Sequence, residues 1–177
     1  KIGVALWKPG EVERGVEKGS CHGHDVFRVG EHDGRITPRT KMAFVCSPHN
    51  PAATIVRRDA LIAFLDSLAS DPPLVVLDEA YRDFCDDPDY PDGVVLLARY
   101  PRLVVLRTFS KIAGLAAMRL GYAVARPDII QKMRPFAMNS INVLVKHGGV
   151  ASLMDTASQA DVKNKVITLR TKTSNEL

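Results

Sequence analysis

Short apolar runs separated by helical patterns predict a chain in which strands and helices alternate. The predicted strands cover residues 24–29, 41–46, 74–77, 103–106 and 120–125. The predicted helices cover residues 57–69, 94–100, 141–154 and 161–170, with a further helix beginning at Pro127. In the first of these helices, Leu61, Leu65 and Leu68 fall on one face, and Pro72 and Pro73 end the pattern.

Buried apolar strands between helices are typical of a mainly parallel sheet covered on both faces. The sequence therefore predicts an α/β fold. In such sheets, ligands bind at the carboxyl ends of the strands, so candidate chemistry is expected where the apolar runs end.

Composition excludes several other classes of protein. The chain has 177 residues, of which 46% are apolar and 25% are charged, as in an ordinary soluble domain rather than a disordered or disulfide-dense chain. No apolar run approaches the roughly 20 residues of a membrane-spanning helix. The net charge of +4 comes from scattered basic residues, which favours an anionic small-molecule ligand over nucleic acid.

Cysteine usage predicts reduced thiols in a cytoplasmic protein. Cys21, Cys46 and Cys85 are far apart, and no Cys-x-x-Cys pair is present. Cys21 is followed by His22 and His24, but one short cluster without a second pair is a weak signal for zinc. No metal is therefore predicted.

Polar motifs follow four of the apolar stretches. They are Cys46-Ser47-Pro48-His49-Asn50-Pro51, Asp78-Glu79-Ala80-Tyr81, Arg107-Thr108-Phe109-Ser110-Lys111 and Arg119. Each motif has a purely structural alternative: a proline turn for the first and a helix N-cap for Asp78. The third is either a phosphate cradle of hydroxyl groups and a cation or a solvated loop lysine. A cation between two apolar stretches, as at Arg119, predicts an anionic partner.

Taken together, in this order and approximate spacing, the motifs resemble fold-type I aminotransferases of class I and II, which use pyridoxal 5′-phosphate (PLP). The segments 45–51, 77–84, 106–111 and 114–122 are most similar to the histidinol-phosphate aminotransferase branch. The resemblance implies a three-layer α/β/α large domain with a mainly parallel sheet over residues 1–157. Residues 158–177 would begin a helical connection to a small domain, and both ends are expected to be cut.

The resemblance also implies roles for individual residues. Lys111 would form the Schiff base with PLP and move protons, in a dry setting, and Asp78 would pair with the pyridinium nitrogen. Tyr81 and Asn50 would hydrogen-bond the phenolic oxygen of the ring.

Three further residues would hold the PLP phosphate. Thr108 and Ser110 are expected to alternate on one side of an extended stretch, and Arg119 would add a guanidinium to the same anion.

By the same resemblance, the function would be transamination between an amino acid or amino-alcohol phosphate and a 2-oxo acid such as 2-oxoglutarate, in a homodimer. A PLP-dependent decarboxylase of the threonine-phosphate type and a catalytically inactive remnant are the alternatives. The chain departs from the family in having Ala52-Ala53 after Asn50-Pro51, where Thr-Gly is usual. Trp7 is the only nearby aromatic candidate for stacking on the cofactor ring, and the substrate-binding arginine of the family is expected in the small domain, after residue 177.

Overall fold

A computed structural model of the chain describes residues 3–7, 26–28, 36–68, 72–137 and 141–176. Its strands are β1 (Gly3–Trp7), β2 (Val26–Arg28), β3 (Met42–Cys46), β4 (Leu74–Asp78), β5 (Leu103–Thr108) and β6 (Gly121–Val124). Its helices are α1 (Arg58–Ser67), α2 (Gly93–Leu96), α3 (Pro127–Met133), α4 (Val143–Met154) and α5 (Thr156–Glu176). Short 3-10 turns lie at Arg82–Phe84, Ala116–Met118 and Arg134–Phe136.

The strands form one sheet in the order β2-β1-β3-β4-β5-β6. The three central strands, β3, β4 and β5, are parallel, whereas β1, β2 and β6 pair antiparallel to their neighbours. The predicted α/β class is confirmed, but the sheet is mixed, and its parallel pairing is confined to the centre. The link from β5 to β6 contains a 3-10 turn and no crossover helix, so the chain returns antiparallel.

The hydrophobic core lies between α1 and one face of the sheet, which we call the α1 face. Leu61, Phe64 and Leu65 of α1 are at most 6% exposed and belong to the same cluster as the strand residues. The strand residues of the cluster are Ala43, Val45, Val75, Leu77, Leu103 and Val105. On the other face, Val76 and Val104 are also buried, so the central strands are covered on both sides, as expected for parallel strands.

Most predicted elements agree with the structure, with shifted ends. Strands β2 to β6 and helices α1, α3 and α4 lie where the apolar patterns place them, and Pro127 opens α3 as its first residue. The helix predicted over residues 94–100 is only the short α2, and the one predicted over 161–170 is the longer α5. Strand β1 is an addition that the analysis of the sequence did not predict.

Two sequence predictions fall outside the described residues. The Cys21 to His24 cluster is not described, and Trp7 is described only as part of the backbone of β1. Cys46 and Cys85 carry free thiols. In the described part of the chain, no helix is long and apolar enough to cross a membrane, and no group of His, Cys, Asp or Glu side chains could hold a metal ion.

Candidate functional site

Three polar side chains lie at the carboxyl ends of the parallel strands, on the face opposite α1. Cys46, Asp78 and Thr108 occupy the positions that alternate with the core residues of β3, β4 and β5, and Cys46 is the register partner of Asp78. We call this side of the strand ends the site face. Burial first and the Asp78 charge second raise the pKa of the Cys46 thiol. This is the edge at which the sequence predicts chemistry.

Asn50, Tyr81 and Lys111 meet beside this edge, although they come from three separate loops. The amide Nδ2 of Asn50 donates a hydrogen bond to the Tyr81 phenolic oxygen at 2.7 Å. The Lys111 Nζ lies 5.0 Å from the centroid of the Tyr81 ring. The structure therefore brings together three residues that are 31 and 30 positions apart in the sequence.

The Tyr81 phenol has a perturbed acidity. The Lys111 ammonium, first, and the Asn50 amide, second, lower the pKa of Tyr81, because both donate to its oxygen and favour the phenolate. An oxygen atom of a ligand placed here would meet the same donors. The cluster is consequently suited to hold a phenolic or phenolate oxygen.

Asp78 follows the apolar run of β4 and is held on both sides by sheet hydrogen bonds. Its carbonyl oxygen accepts from Ser47 N at 3.0 Å, and the next residue donates its N–H to Leu106 at 2.9 Å. Its Oδ1 accepts from Ala80 N at 3.0 Å, and no described residue forms a hydrogen bond with Oδ2. Asp78 thus closes a local turn, while the 3-10 turn that follows has Tyr81 at its cap.

The loop between β5 and β6 carries Lys111. A turn from Lys111 to Gly114, closed by a 3.0 Å bond, is made possible by the positive φ of 68° at Gly114. The loop is fastened at its base by Leu115 N, which donates to Phe109 O at 3.0 Å. Phe109 and Ile112 are buried, but Lys111 itself is exposed, so the expected dry setting for this lysine is wrong for the described chain.

Thr108 and Ser110, the predicted phosphate ligands, lie next to each other in a bend. Strand β5 ends at Thr108, so the expected extended stretch with both hydroxyl groups on one side is wrong. The Thr108 Oγ1 instead accepts from Ser110 N at 3.1 Å and lies 3.4 Å from the Leu120 carbonyl oxygen. The bend thus brings the two residues together, with the Thr108 hydroxyl group in contact with both Ser110 N and Leu120 O.

Arg119 is adjacent to this bend in the fold, but its guanidinium points elsewhere. Its Nη1 donates to Ala116 O at 2.9 Å, and the residue is exposed. Arg119 also has a positive φ of 53°, an uncommon backbone conformation for a residue other than glycine. The structure thus brings the residue after Arg119 into contact with Thr108, but the Arg119 guanidinium binds Ala116 O and not Thr108 or Ser110.

A buried ion network lies directly behind the site and was missed in the analysis of the sequence. Glu79, with a fully buried side chain, accepts from Arg107 Nε at 2.8 Å and from Gly93 N at 2.9 Å. Arg107 Nη2 also donates to Asp92 at 2.8 Å, and Arg82 bridges the two carboxylates at 3.4 and 3.2 Å. The network joins the ends of β4 and β5 to the start of α2.

The pKa values of the central pair reflect competition between burial and pairing. Burial raises the pKa of Glu79, and the Gly93 N–H and the Arg107 guanidinium offset only part of that effect. Burial alone would lower the pKa of Arg107, but the hydrogen bond and charge of Glu79 dominate and raise it. The 2.8 Å contact from Arg107 Nε and the 2.9 Å contact from Gly93 N both favour the charged form of the Glu79 carboxylate.

A sequence signal for this network did exist. Alternation along β4 puts Val75 and Leu77 on the α1 face, so residue 79 continues on that face, while Asp78 falls on the other.

Comparison with known proteins agrees with the motifs. The sequence model of the family described as aminotransferase class I and II matches residues 24–175. The chain belongs to this family. Aminotransferases of this family depend on PLP.

Individual relatives carry two different names. An aromatic amino acid aminotransferase of Streptomyces avermitilis is 49% identical over 130 residues, covering 73% of this chain and 36% of the relative. A histidinol-phosphate aminotransferase of Caldicellulosiruptor saccharolyticus is 43% identical over 122 residues, covering 67% and 33%. The chain thus spans about a third of the length of these aminotransferases.

Among solved structures, the histidinol-phosphate aminotransferase of Sinorhizobium meliloti, in complex with pyridoxal-5′-phosphate, superposes with a TM-score of 0.66 at 27% identity. The match covers 73% of this chain and 35% of that one.

Proposed function

We propose that the chain is the PLP-binding part of an aminotransferase. The observation that carries this proposal is the convergence of the Asn50 amide, the Tyr81 phenol and the Lys111 ammonium next to the carboxyl end of β4. Family membership leads us to expect PLP binding, and the convergence indicates which side chains of this chain would bind the cofactor.

The residues present suit PLP in their chemistry. Asn50 and Tyr81 offer donors for the phenolic oxygen, and Asp78 offers Oδ2, an oxygen without a described hydrogen bond, for the pyridinium nitrogen. Thr108 and Ser110 carry hydroxyl groups for a phosphate, and Thr108 would give up its contact with the Leu120 carbonyl oxygen to donate to that anion. Arg119 would join them after turning its side chain away from Ala116 O.

When bound, PLP supplies an electron sink for negative charge developing on the substrate carbon. Asp78 would keep the pyridine nitrogen protonated, because a carboxylate beside a cation favours the charged form. Lys111 Nζ would hold the cofactor covalently and, when released, would move a proton at the substrate carbon. Tyr81, whose pKa is lowered by Lys111 and Asn50, would donate a hydrogen bond to the phenolic oxygen of the cofactor.

The proposed substrates are an amino acid or an amino-alcohol phosphate of the histidinol-phosphate kind, with a 2-oxo acid such as 2-oxoglutarate as acceptor. The printed names of the relatives support this class, with aromatic and histidinol-phosphate donors represented among them. We further propose that the protein acts in the cytoplasm and as a homodimer.

Borohydride labelling of the 177-residue chain tests the proposal. After incubation with PLP and removal of the excess, reduction is expected to fix the cofactor on the peptide that contains Lys111, as identified by mass spectrometry. The Lys111→Arg variant, which keeps the charge, is expected to lose this label. Lys146, an exposed lysine on α4, serves as the matched control when it is changed to Arg.

Two results would contradict the proposal. One is a label spread evenly over surface lysines, and the other is an undiminished label in the Lys111→Arg variant.

A further inference from the structure

We propose that Glu79 and Arg107 are positioning residues, which act through the backbone to hold Asp78 and Thr108 at the spacing that the cofactor requires. The inference rests on the proposed function, because Asp78 and Thr108 are cofactor residues only there. Glu79 directly follows Asp78, and Arg107 directly precedes Thr108.

The two pairs lie on opposite faces of the same two strand ends. Alternation sends Glu79 and Arg107 to the α1 face, where their side chains are 0% and 16% exposed. Asp78 and Thr108 take the site face. Because successive side chains share one backbone, a shift of Glu79 against Arg107 moves Asp78 against Thr108.

The central pair is attached more firmly than an ordinary ion pair. Arg107 uses Nε for Glu79 and Nη2 for Asp92, so a single guanidinium spans two carboxylates. Asp92 in turn accepts from Val94 N at 3.0 Å, which fixes it at the start of α2. A planar guanidinium can satisfy this geometry, whereas the ammonium of a lysine cannot reach both carboxylates with fixed directions.

Space around Glu79 leaves it little freedom. A Cβ atom built on Gly93 would lie 2.7 Å from Glu79 Oε1 and 2.7 Å from the Leu77 Cδ2. Glu79 N also donates to Leu106 O at 2.9 Å, which continues the β4–β5 pairing by one residue. Both the side chain and the backbone of Glu79 are therefore fixed relative to β5.

Glu79→Gln and Arg107→Lys test the inference in the 177-residue chain. The first keeps the shape and an acceptor for Gly93 N but turns an amide group toward Arg107. The second keeps the positive charge beside Glu79 but cannot bridge Glu79 and Asp92. It is therefore expected to fold, and it tests the inference even if Glu79→Gln does not fold. The matched control is Phe64→Leu, a buried core position on α1 that lowers stability and takes no part in the ion network.

Two readouts are needed: the PLP dissociation constant, measured where circular dichroism shows each variant to be folded, and the pH dependence of the absorbance of the bound cofactor. Supporting side chains of this kind typically change affinity by tenfold to a hundredfold, so we expect PLP binding about tenfold weaker or more in each folded variant. The pH profile should also shift, because Asp78 would no longer face the ring nitrogen correctly. Phe64→Leu should lower the melting temperature and leave both readouts at the parental value.

The inference is overturned if folded Arg107→Lys or Glu79→Gln binds PLP as the parent does, or if Phe64→Leu weakens binding equally. Failure of the proposed function looks different, because the parent itself would then take up no PLP at Lys111. In that case the positioning role falls with it.

Discussion

On the α1 face, the carboxyl ends of β4 and β5 carry Glu79, which is fully buried, and Arg107, which is half-buried, and the two form an ion pair. On the site face, the same ends carry Asp78 and Thr108, which are half-buried and make local hydrogen bonds. A difference of one residue along each strand thus separates a pair held in an ion network from groups whose hydrogen bonds are local.

The contrast shows how a sheet edge can serve stability and chemistry at once. Burying charged groups is favourable only when each finds partners. Glu79 and Arg107 meet that condition with each other, whereas the buried Nε of Arg82 lies 3.4 Å from Glu79 and forms no hydrogen bond with a described residue. Groups that are to bind a ligand need the opposite, a free donor or acceptor on a fixed backbone. Oδ2 of Asp78 has no hydrogen bond from any described residue. The two requirements are met by side chains that point in opposite directions.

The largest expected effect comes from removing the carboxylate on the α1 face. Glu79→Leu leaves Arg107 and Gly93 N without their main acceptor, so the free energy of unfolding should fall by about 3–5 kcal/mol. Asp78→Asn, one residue away on the site face, should cost less than about 1 kcal/mol, because Asn can accept from Ala80 N in the same turn. Urea denaturation of both variants measures the difference. Equal losses would show that the two faces do not differ in this way.

Alanine substitutions at two glycines are expected to change stability by an intermediate amount and test the packing around Glu79. Gly93→Ala inserts a methyl group between Glu79 and Leu77 and is expected to destabilise the chain by about 1–3 kcal/mol. Gly148→Ala, on α4, has no heavy atom within 4 Å of the new methyl group. It should stabilise the chain by about 0.5–1 kcal/mol, because alanine favours the helix. Thermal melts of the two variants should shift in opposite directions, and a shift of the same sign would contradict the packing described around Glu79.

The smallest effect concerns protons on the site face. Since Lys111 and Asn50 lower the pKa of Tyr81 while burial raises the pKa of Tyr90 and Tyr100, Tyr81 should ionise at lower pH than these two. Lys111→Met removes the ammonium that favours the phenolate, so the pKa of Tyr81 should rise. Carbon-13 NMR of labelled tyrosines, with Tyr81→Phe for assignment, follows each phenol separately. Lys146→Met is the control, in which the pKa of Tyr81 should not change. An unchanged Tyr81 titration in Lys111→Met would show that Lys111 does not lower the pKa of Tyr81.

The centre of the fold could be predicted from the sequence because it depends on apolar runs. Strands β3, β4 and β5 are short, buried on both faces and bounded by polar residues, which is the pattern that period analysis detects. The antiparallel direction of β6 could not be predicted in this way, since an apolar run does not specify which end of a strand lies beside its neighbour. The length of α5 was also underestimated, because its first residues, Thr156 to Ala160, show no apolar face.

Part of the candidate site was accessible through motifs and part was not. Asn50, Tyr81 and Lys111 were selected as members of known patterns, and the structure brings them together. Their cofactor roles remain predictions, as do those of Asp78, Thr108, Ser110 and Arg119, and so does the domain boundary at residue 157. The direction of the Arg119 guanidinium depends on loop geometry, which a motif does not encode. The role of Glu79 was not predicted, because it depends on the alternation of side chains between the two faces of β4, which continues one residue past the end of the strand.

Helix α5 returns to the segment that follows Tyr81 and is joined to it at two points. Lys163 Nζ donates to Cys85 O at 2.9 Å, and Arg170 pairs with Asp86 at 2.7 Å, two helical turns further along. The Arg170–Asp86 pair is exposed and screened by salt, so its contribution to stability should be small, whereas the Lys163 contact is part-buried and screened less. The attachment of this 21-residue helix to the segment after Tyr81 therefore depends mainly on Lys163.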